Sequence, residues 1–274
     1  MYESEIAVFI SSIALAIFFI AKWYYSIAKA WPAGRGVLCK AVLGFLPAVA
    51  LAVIWPVLAT LASFDVVGSP LFIAFYLFLG FPWLWLGELA MRSVFDISMA
   101  DDILQMDNKS ALAAFVGGFL GVTAIYSAAN IGDGPGWWCV VFAGGLGFAA
   151  WVALALAAGR LSHAFERVTV DRDVPSGIRF GCFLLACGII LGRASSGDWT
   201  SASMTVVEFM DGWPALPLSL AVVARERLDG RLARNRGAAD SGMAGSVLWG
   251  GALVAIAIAC AVMLPPLIGK PSNG

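Results

Sequence analysis

The sequence predicts an all-α integral membrane protein, from its composition, its long apolar runs and the positions of its basic residues. Of 274 residues, 61% are hydrophobic and 13% are charged, whereas a soluble domain is about half apolar and about a quarter charged. This composition excludes an ordinary soluble enzyme. It also excludes a disordered chain, which needs few apolar residues and many charged ones.

Eight apolar runs qualify as membrane-spanning helices, because a helix needs about 20 apolar residues to cross a bilayer. They cover residues 6–27, 38–62, 70–91, 110–131, 137–161, 177–196, 202–224 and 244–268. The runs are continuously apolar and do not alternate with polar residues, which favours helices over strands. Consecutive helices form four tandem hairpins in one membrane domain and leave no room for a soluble domain.

The Lys and Arg residues concentrate on one side of the predicted bundle. In and beside the loops after the first, third, fifth and seventh runs there are four, two, four and five of them, whereas the opposite side holds only Arg193 and Lys270. Because short cytoplasmic loops carry the excess of Lys and Arg, we place both termini outside, in the periplasm. The expected location is the bacterial inner (plasma) membrane, which the chain crosses several times.

Two parts of the chain repeat with a constant shift in residue number. Residues 107–133 align with residues 172–198, and the Gly-Asp pairs that end the two stretches coincide. The common pattern is a helix, an acidic connector, a Gly-rich helix and then a Gly-Asp turn. Because the shift contains two spans, the sequence predicts a parallel two-helix repeat. Inverted repeats are the better-known mark of alternating-access carriers, so a parallel repeat counts against that function.

The first copy resembles the DUF350 family of small bacterial inner-membrane proteins. The resemblance rests on the acidic connector around Asp101, on the Asp-Asn-Lys step at Asn108, and on the glycines at 117, 118 and 121. It covers residues 70–201, and it separates a DUF350-like core from an N-terminal helix pair (1–69) and a C-terminal helix pair (202–274). The second copy departs from the family pattern, since it has Val174-Pro175 after the connector. The resemblance implies tandem two-helix units and supplies no catalytic residues.

Small residues predict close contacts between helices. Gly117 and Gly121 are four residues apart, as are Gly188 and Gly192, and Gly144 belongs to a glycine cluster in the fifth span. In lipid, small residues at this spacing let two helix backbones approach closely. These glycines pack helices within the chain on one interpretation, and on the other they form the seam of a homo-oligomer.

Among the charged residues inside predicted spans, Glu88, Arg193, Glu208 and Asp211 stand out, because a charge at depth is costly and is a functional hypothesis by default. Glu88 has Arg92 four residues later, a spacing that favours a local ion pair on one helix. Arg193 and Glu208 lie at similar depths on helices six and seven, so we expect them to touch. Asp211 lies one turn deeper, where burial favours its protonated form.

Helix seven is expected to break just below this cluster, at Gly212, Pro214 and Pro217. A break in lipid is tolerated only where protein or water covers the freed carbonyls. The cluster of Arg193, Glu208 and Asp211 is therefore either a proton or ion site at a broken helix, or a structural ion pair between two helices.

A basic segment follows helix seven on the predicted cytoplasmic side. Its arginines are Arg225, Arg227, Arg231, Arg234 and Arg236. Such a cluster attracts anionic lipid headgroups or an acidic partner, although it also satisfies the positive-inside rule without a further role.

Neither a catalytic residue nor a metal or other cofactor is predicted. The chain has a single histidine, His163, and its five cysteines are scattered singly, so the usual clusters of metal ligands are missing. We therefore expect a non-enzymatic scaffold or accessory subunit of a membrane assembly. Its partners would be membrane lipids and a homo-oligomer or larger membrane complex, and not nucleic acid. The alternative is a small proton- or ion-coupled channel or carrier with its acidic site on helix seven.

Overall fold

The structure is a computed structural model that describes residues 3–31, 36–236 and 242–265, with the backbone alone for 231–236. These residues form α1 (Glu3–Lys29), α2 (Val37–Thr60), α3 (Phe64–Val67), α4 (Pro70–Ser93), α5 (Lys109–Ala129), α6 (Trp137–Ser162), α7 (Ala164–Thr169), α8 (Val174–Ala194), α9 (Ala202–Glu208), α10 (Ala215–Arg236) and α11 (Met243–Met263). A π-helical segment covers Met99–Gln105, and a 3-10 turn covers Phe209–Gly212. Helices therefore account for nearly all of the described chain.

Eight helical segments in the described ranges are long and apolar enough to cross a membrane. They are α1, α2, α4, α5, α6, α8, α11 and the stretch Ala202–Gly230, which contains α9 and most of α10. The predicted class, an all-α membrane protein with eight spans, is confirmed. The seventh predicted span ended at residue 224, whereas α10 continues to Arg236. The end of the eighth predicted span, residues 266–268, lies outside the described residues.

The internal repeat is present in the backbone. Both ends of α8 follow the corresponding ends of α5 with the same shift that aligns the two sequence copies. Asp107 and Arg172, which this shift superimposes, both have positive φ, at 51° and 53°. Two hydrogen bonds of the connectors recur in the same way: Met106 N to Asp101 O with Asp171 N to Glu166 O, and Asn108 N to Asp102 O with Asp173 N to Arg167 O. The two copies thus share their turns as well as their helices.

The two Gly-rich helices, α5 and α8, lie side by side at the centre and run in the same direction. A Cβ atom added to Gly121 would lie 2.6 Å from the carbonyl oxygen of Leu184, and one on Gly192 would lie 2.9 Å from that of Ala124. Gly117 and Gly188 are closer still to the opposite backbone. Glycine is needed at these positions because any side chain would separate the two helices.

The outer helices lie in the same way on each copy of the repeat. In the N-terminal half, which comprises α1 to α5, α1 packs on α4 and α2 packs on α5. In the C-terminal half, which comprises α6 to α11, α10 packs on α6 and α11 packs on α8. We call the end of the bundle where α5 and α8 begin the inner end, and the end where they finish the outer end.

Candidate functional site

Arg193 forms its ion pair with Asp211, and the predicted contact with Glu208 is wrong. Its Nη1 lies 3.7 Å from Asp211 Oδ2. The α-helical rotation stops at Glu208, where the 3-10 turn begins. Over three residues, a 3-10 turn rotates a side chain about 60° further than an α-helix does, which places Asp211 opposite the arginine.

The guanidinium of Arg193 also caps the end of α11. Its Nε donates to the carbonyl oxygen of Ala261 at 2.7 Å, and its Nη2 donates to that of Leu264 at 2.7 Å. The last carbonyls of a helix have no partner within the helix, and a cation there also meets the negative end of the helix dipole. Arg193 therefore ties the outer ends of α8 and α11 together.

The predicted break in helix seven is present, between α9 and α10. Gly212 is buried at the break, and a Cβ atom there would lie 3.1 Å from the side chain of Leu191. Pro214 lies between the 3-10 turn and α10. Pro217 does not break the helix, because it falls in the first turn of α10, where a backbone N–H has no partner within the helix.

Glu208 lines a cavity at the outer end of the bundle. The cavity lies where the Gly-Asp turns of the two copies meet, and it is partly open to solvent. Hydrogen bonds join the two turns: Gly197 N donates to Ile131 O at 2.9 Å, and Asp133 N donates to Asp198 Oδ1 at 3.0 Å. The repeat thus builds the walls of this cavity from equivalent residues.

Glu88 is held by another helix, and its predicted pairing with Arg92 is wrong. The Glu88 residue is 7% exposed, and its two carboxylate oxygens accept hydrogen bonds from Lys22 Nζ of α1 at 3.1 and 3.2 Å. Arg92 is exposed. Glu88 lies on the buried face of α4, which packs on α1, so the lysine of α1 is the cation within its reach.

A larger buried charge network at the inner end was missed by sequence reasoning. Glu226 of α10 is fully buried, and it accepts hydrogen bonds from Arg179 Nε at 2.5 Å, Arg167 Nη1 at 2.8 Å and Ser176 Oγ at 3.0 Å. Arg179 is also fully buried, and its Nη1 donates to Ser246 Oγ of α11 at 2.6 Å. This network therefore joins α7, α8, α10 and α11.

A second acid and a helix cap extend the network. Asp229 Oδ2 lies 3.3 Å from Arg179 Nη2 and 3.3 Å from Arg225 Nε. Burial raises the pKa of Asp173, the N-cap of α8, and the nearby guanidinium of Arg179 offsets part of that rise. The signal in the sequence was faint: Glu226 and Asp229 are three residues apart within an arginine-rich segment, and so lie on one face of a helix.

The basic segment after helix seven is partly used within the protein. Arg225 pairs with Asp229, and Arg227 Nε donates to the carbonyl oxygen of Leu161 at the end of α6 at 2.8 Å. The side chains of Arg231, Arg234 and Arg236 lie outside the described residues. Headgroup or partner binding by this segment therefore stays a prediction, while Arg225 and Arg227 contact neighbouring groups of the chain.

The predicted packing glycines all lie against other parts of the same chain. Gly117, Gly121, Gly188 and Gly192 fill the contact between α5 and α8, and a Cβ atom on Gly144 would lie 3.1 Å from the ring of Trp83. These five positions are covered within the chain, so they are not available as a seam between copies.

Comparison with known proteins finds no matching family model, no matching curated protein and no matching solved structure. Membership of the DUF350 family therefore stays a prediction. Among the described residues, no three His, Cys, Asp or Glu side chains stand close enough to share a metal ion. The outer cavity and the buried inner network are thus the main polar features of the described residues.

Proposed function

We propose that this chain is a non-enzymatic scaffold or accessory subunit of a membrane assembly, and not a channel or carrier. The observation that carries the proposal is the direct backbone contact between α5 and α8. The path between two repeats is the natural place for a transport route, and glycine-to-backbone contacts fill it from Gly117 to Gly192. The centre of the bundle is accordingly packed to serve as a rigid frame.

The charged groups of the spans support the same conclusion. Transporters bind their substrates and coupling ions near the bilayer midplane. Here Arg193 is the penultimate residue of α8, at the outer end, and its cation meets Asp211 and two carbonyls. Glu88 lies toward the inner end of α4 and meets Lys22. Matched charges near the ends of helices hold helices together without an ion path.

The outer helices offer an apolar surface for lipids or for other membrane proteins. Phe45 of α2 is 72% exposed, and Leu248 and Val262 of α11 are 74% and 78% exposed. Lipid chains would cover these side chains in an isolated molecule, and apolar faces of other subunits would replace lipid in an assembly. The charge asymmetry of the sequence supports placing the inner end in the cytoplasm of a bacterium and both termini outside.

Proton flux into liposomes tests the proposal against its alternative. We expect liposomes that contain the protein and a pH-sensitive dye to acidify no faster than protein-free liposomes when an external acid pulse is applied. Flux that is present in the native protein and abolished in Asp211→Asn would overturn the scaffold and establish a proton-coupled carrier. Asp198→Asn, which changes a carboxylate of the outer cavity, serves as the matched control for that variant.

A further inference from the structure

Carboxylates and helix C-termini line the outer cavity and make its electrostatic potential negative. The side chains of Asp133, Asp198 and Glu208 line it. Ala129 and Ala194, the last residues of α5 and α8, line it as well, and each helix C-terminus carries about half a negative charge. The N-terminus of α6 also reaches the wall and offsets only part of this field. Arg193, at the same end of the bundle, is engaged by Asp211 and the end of α11.

Two buried polar side chains on the cavity wall have hydrogen-bonding capacity left over. Asn130 is 5% exposed, and its Nδ2 donates to the carbonyl oxygen of Tyr126 at 2.7 Å, which fixes the orientation of the amide. Its Oδ1 then receives no donor from the residues that the structure describes. Tyr76 is 8% exposed, and its hydroxyl makes no hydrogen bond within the same part of the chain. Neither oxygen is among the fully buried atoms that lack a partner, so both remain accessible to a molecule in the cavity.

An aromatic ring completes the wall. Trp199 lines the cavity, and its ring is held edge-on by Trp138 and Phe142, with centroids 4.7 and 5.5 Å away. An indole ring offers a large apolar surface to the hydrocarbon part of a ligand, and it also tolerates a nearby cation because its face attracts positive charge. The cavity continues into a wider cleft that Trp199 and Tyr76 share with Glu5 and Asp65, so a solute at the outer end meets further carboxylates as it enters.

We propose that this cavity binds a small organic ammonium ion. A primary ammonium has three donors and no acceptor. The wall presents acceptors: Asn130 Oδ1, the phenol oxygen of Tyr76 and the carboxylates of Asp133, Asp198 and Glu208. The apolar part of the ligand lies against Trp199. A bare metal ion fits less well, because no three ligating side chains of the described residues converge, and the field repels anions. This site is independent of the scaffold proposal.

Binding to three matched probes tests the charge requirement. The full-length protein in phosphatidylcholine nanodiscs is dialysed to equilibrium against phenethylammonium, 2-phenylethanol or 3-phenylpropionate, with empty nanodiscs as the reference. We expect phenethylammonium to bind at least tenfold more tightly than the neutral alcohol, and the anion to bind no more than it does to empty nanodiscs. Equal binding of the cation and the alcohol would overturn the proposal, as would cation binding no greater than that of empty nanodiscs.

Three variants locate the binding. Glu208→Gln keeps the size of a side chain that lines the cavity but removes its charge. We expect this variant to bind phenethylammonium about fivefold more weakly. Tyr76→Phe removes a hydroxyl, and a loss of about one hydrogen bond predicts a similar weakening with an unchanged thermal unfolding temperature. Glu3→Gln is the control: Glu3 is an exposed carboxylate at the start of α1 and does not line the cavity. This variant should bind like the native protein. If Glu208→Gln also binds like the native protein, or Glu3→Gln weakens binding equally, the cavity is not the site.

Discussion

The two halves of the molecule attach their outer helices to the central repeat with different electrostatics. In the N-terminal half the pair of Lys22 with Glu88 joins α1 to α4, and 36% of the lysine side chain is exposed. In the C-terminal half Arg179 and Glu226 are both fully buried and share their contacts with further charged residues. Halves with the same helix arrangement therefore differ in how much of their stability depends on buried charge.

The difference follows from access to water. A lysine on a flexible stem can extend its ammonium to the membrane interface. Water can solvate the ammonium there, so the cation does not depend on its carboxylate partner. A buried guanidinium has five N–H donors and no water to satisfy them. Arg179 donates three hydrogen bonds, two to Glu226 and one to Ser246, and Asp229 Oδ2 lies 3.3 Å from its Nη2 as a second carboxylate. One carboxylate is enough in the first case, and a network is required in the second.

The largest effect is expected from Glu226→Gln. The substitution keeps the size of the side chain but removes the carboxylate that Arg179 contacts most closely, leaving Asp229 in ion-pair contact at 3.3 Å. Removing one partner of a buried ion pair costs about 3 to 5 kcal/mol. The free energy of unfolding can be measured by titrating the protein from mild detergent into dodecyl sulfate and following helical circular dichroism.

Glu88→Gln is the matched variant in the other half. Its partner Lys22 is partly exposed, so we expect a loss of only about 1 kcal/mol, in keeping with partly solvated pairs. If the two variants lost equal stability, the contrast between the halves would be wrong, and burial would not decide the strength of these contacts.

An effect smaller than that of Glu226→Gln is expected where the two halves meet, at the contact between α5 and α8. In Gly117→Ala the new methyl group would clash with backbone atoms of Gly181, which cannot rotate away, and we expect a loss of about 1 to 3 kcal/mol, as for overpacked cores. Gly145→Ala is the control, because nothing lies within 4 Å of a Cβ atom there. Since alanine is the better helix former, this variant should be as stable as the native protein or slightly more so. Equal losses of stability in both variants would show that any glycine-to-alanine change in these helices is destabilising, and that the contact between α5 and α8 is not the cause.

The helices and the repeat could be predicted because their causes are local. A continuous apolar run in lipid can satisfy its backbone only as a helix, and the copies end in the same Gly-Asp pair. The break before α10 was also readable, because Gly212 and Pro214 disfavour an α-helix wherever they stand. Such features depend on residue type and spacing along one chain segment.

The pairing of charges could not be predicted, because it depends on directions around the helix axes and on which helices are neighbours. Spacing gave Arg193 and Glu208 the same depth, but a short 3-10 turn moved Asp211 into contact instead. Glu88 has a cation four residues away and still pairs with Lys22, since α1 covers that face of α4. The sequence predicts Arg179 only two residues inside the start of the sixth span, whereas α8 begins five residues before it.

The smallest effect is expected at the two connector residues with positive φ, Asp107 and Arg172. A left-handed backbone costs a residue with a side chain about 1 kcal/mol or more, and glycine is free of that cost but loses more entropy on folding. Arg172 is exposed, so Arg172→Gly should raise the free energy of unfolding by about 0.5 kcal/mol through these two opposing contributions.

Asp107→Gly should not raise the free energy of unfolding, although it removes the same cost of a left-handed backbone. Asp107 Oδ1 accepts a hydrogen bond from Cys39 Sγ at 3.2 Å, which links α2 to the connector, and glycine removes that contact. Aspartate also tolerates the left-handed region better than most residues do, so there is less strain to relieve. The dodecyl sulfate titration described for Glu226→Gln measures both variants. If Asp107→Gly raised the free energy of unfolding as much as Arg172→Gly does, the hydrogen bond between Cys39 and Asp107 would contribute nothing to stability.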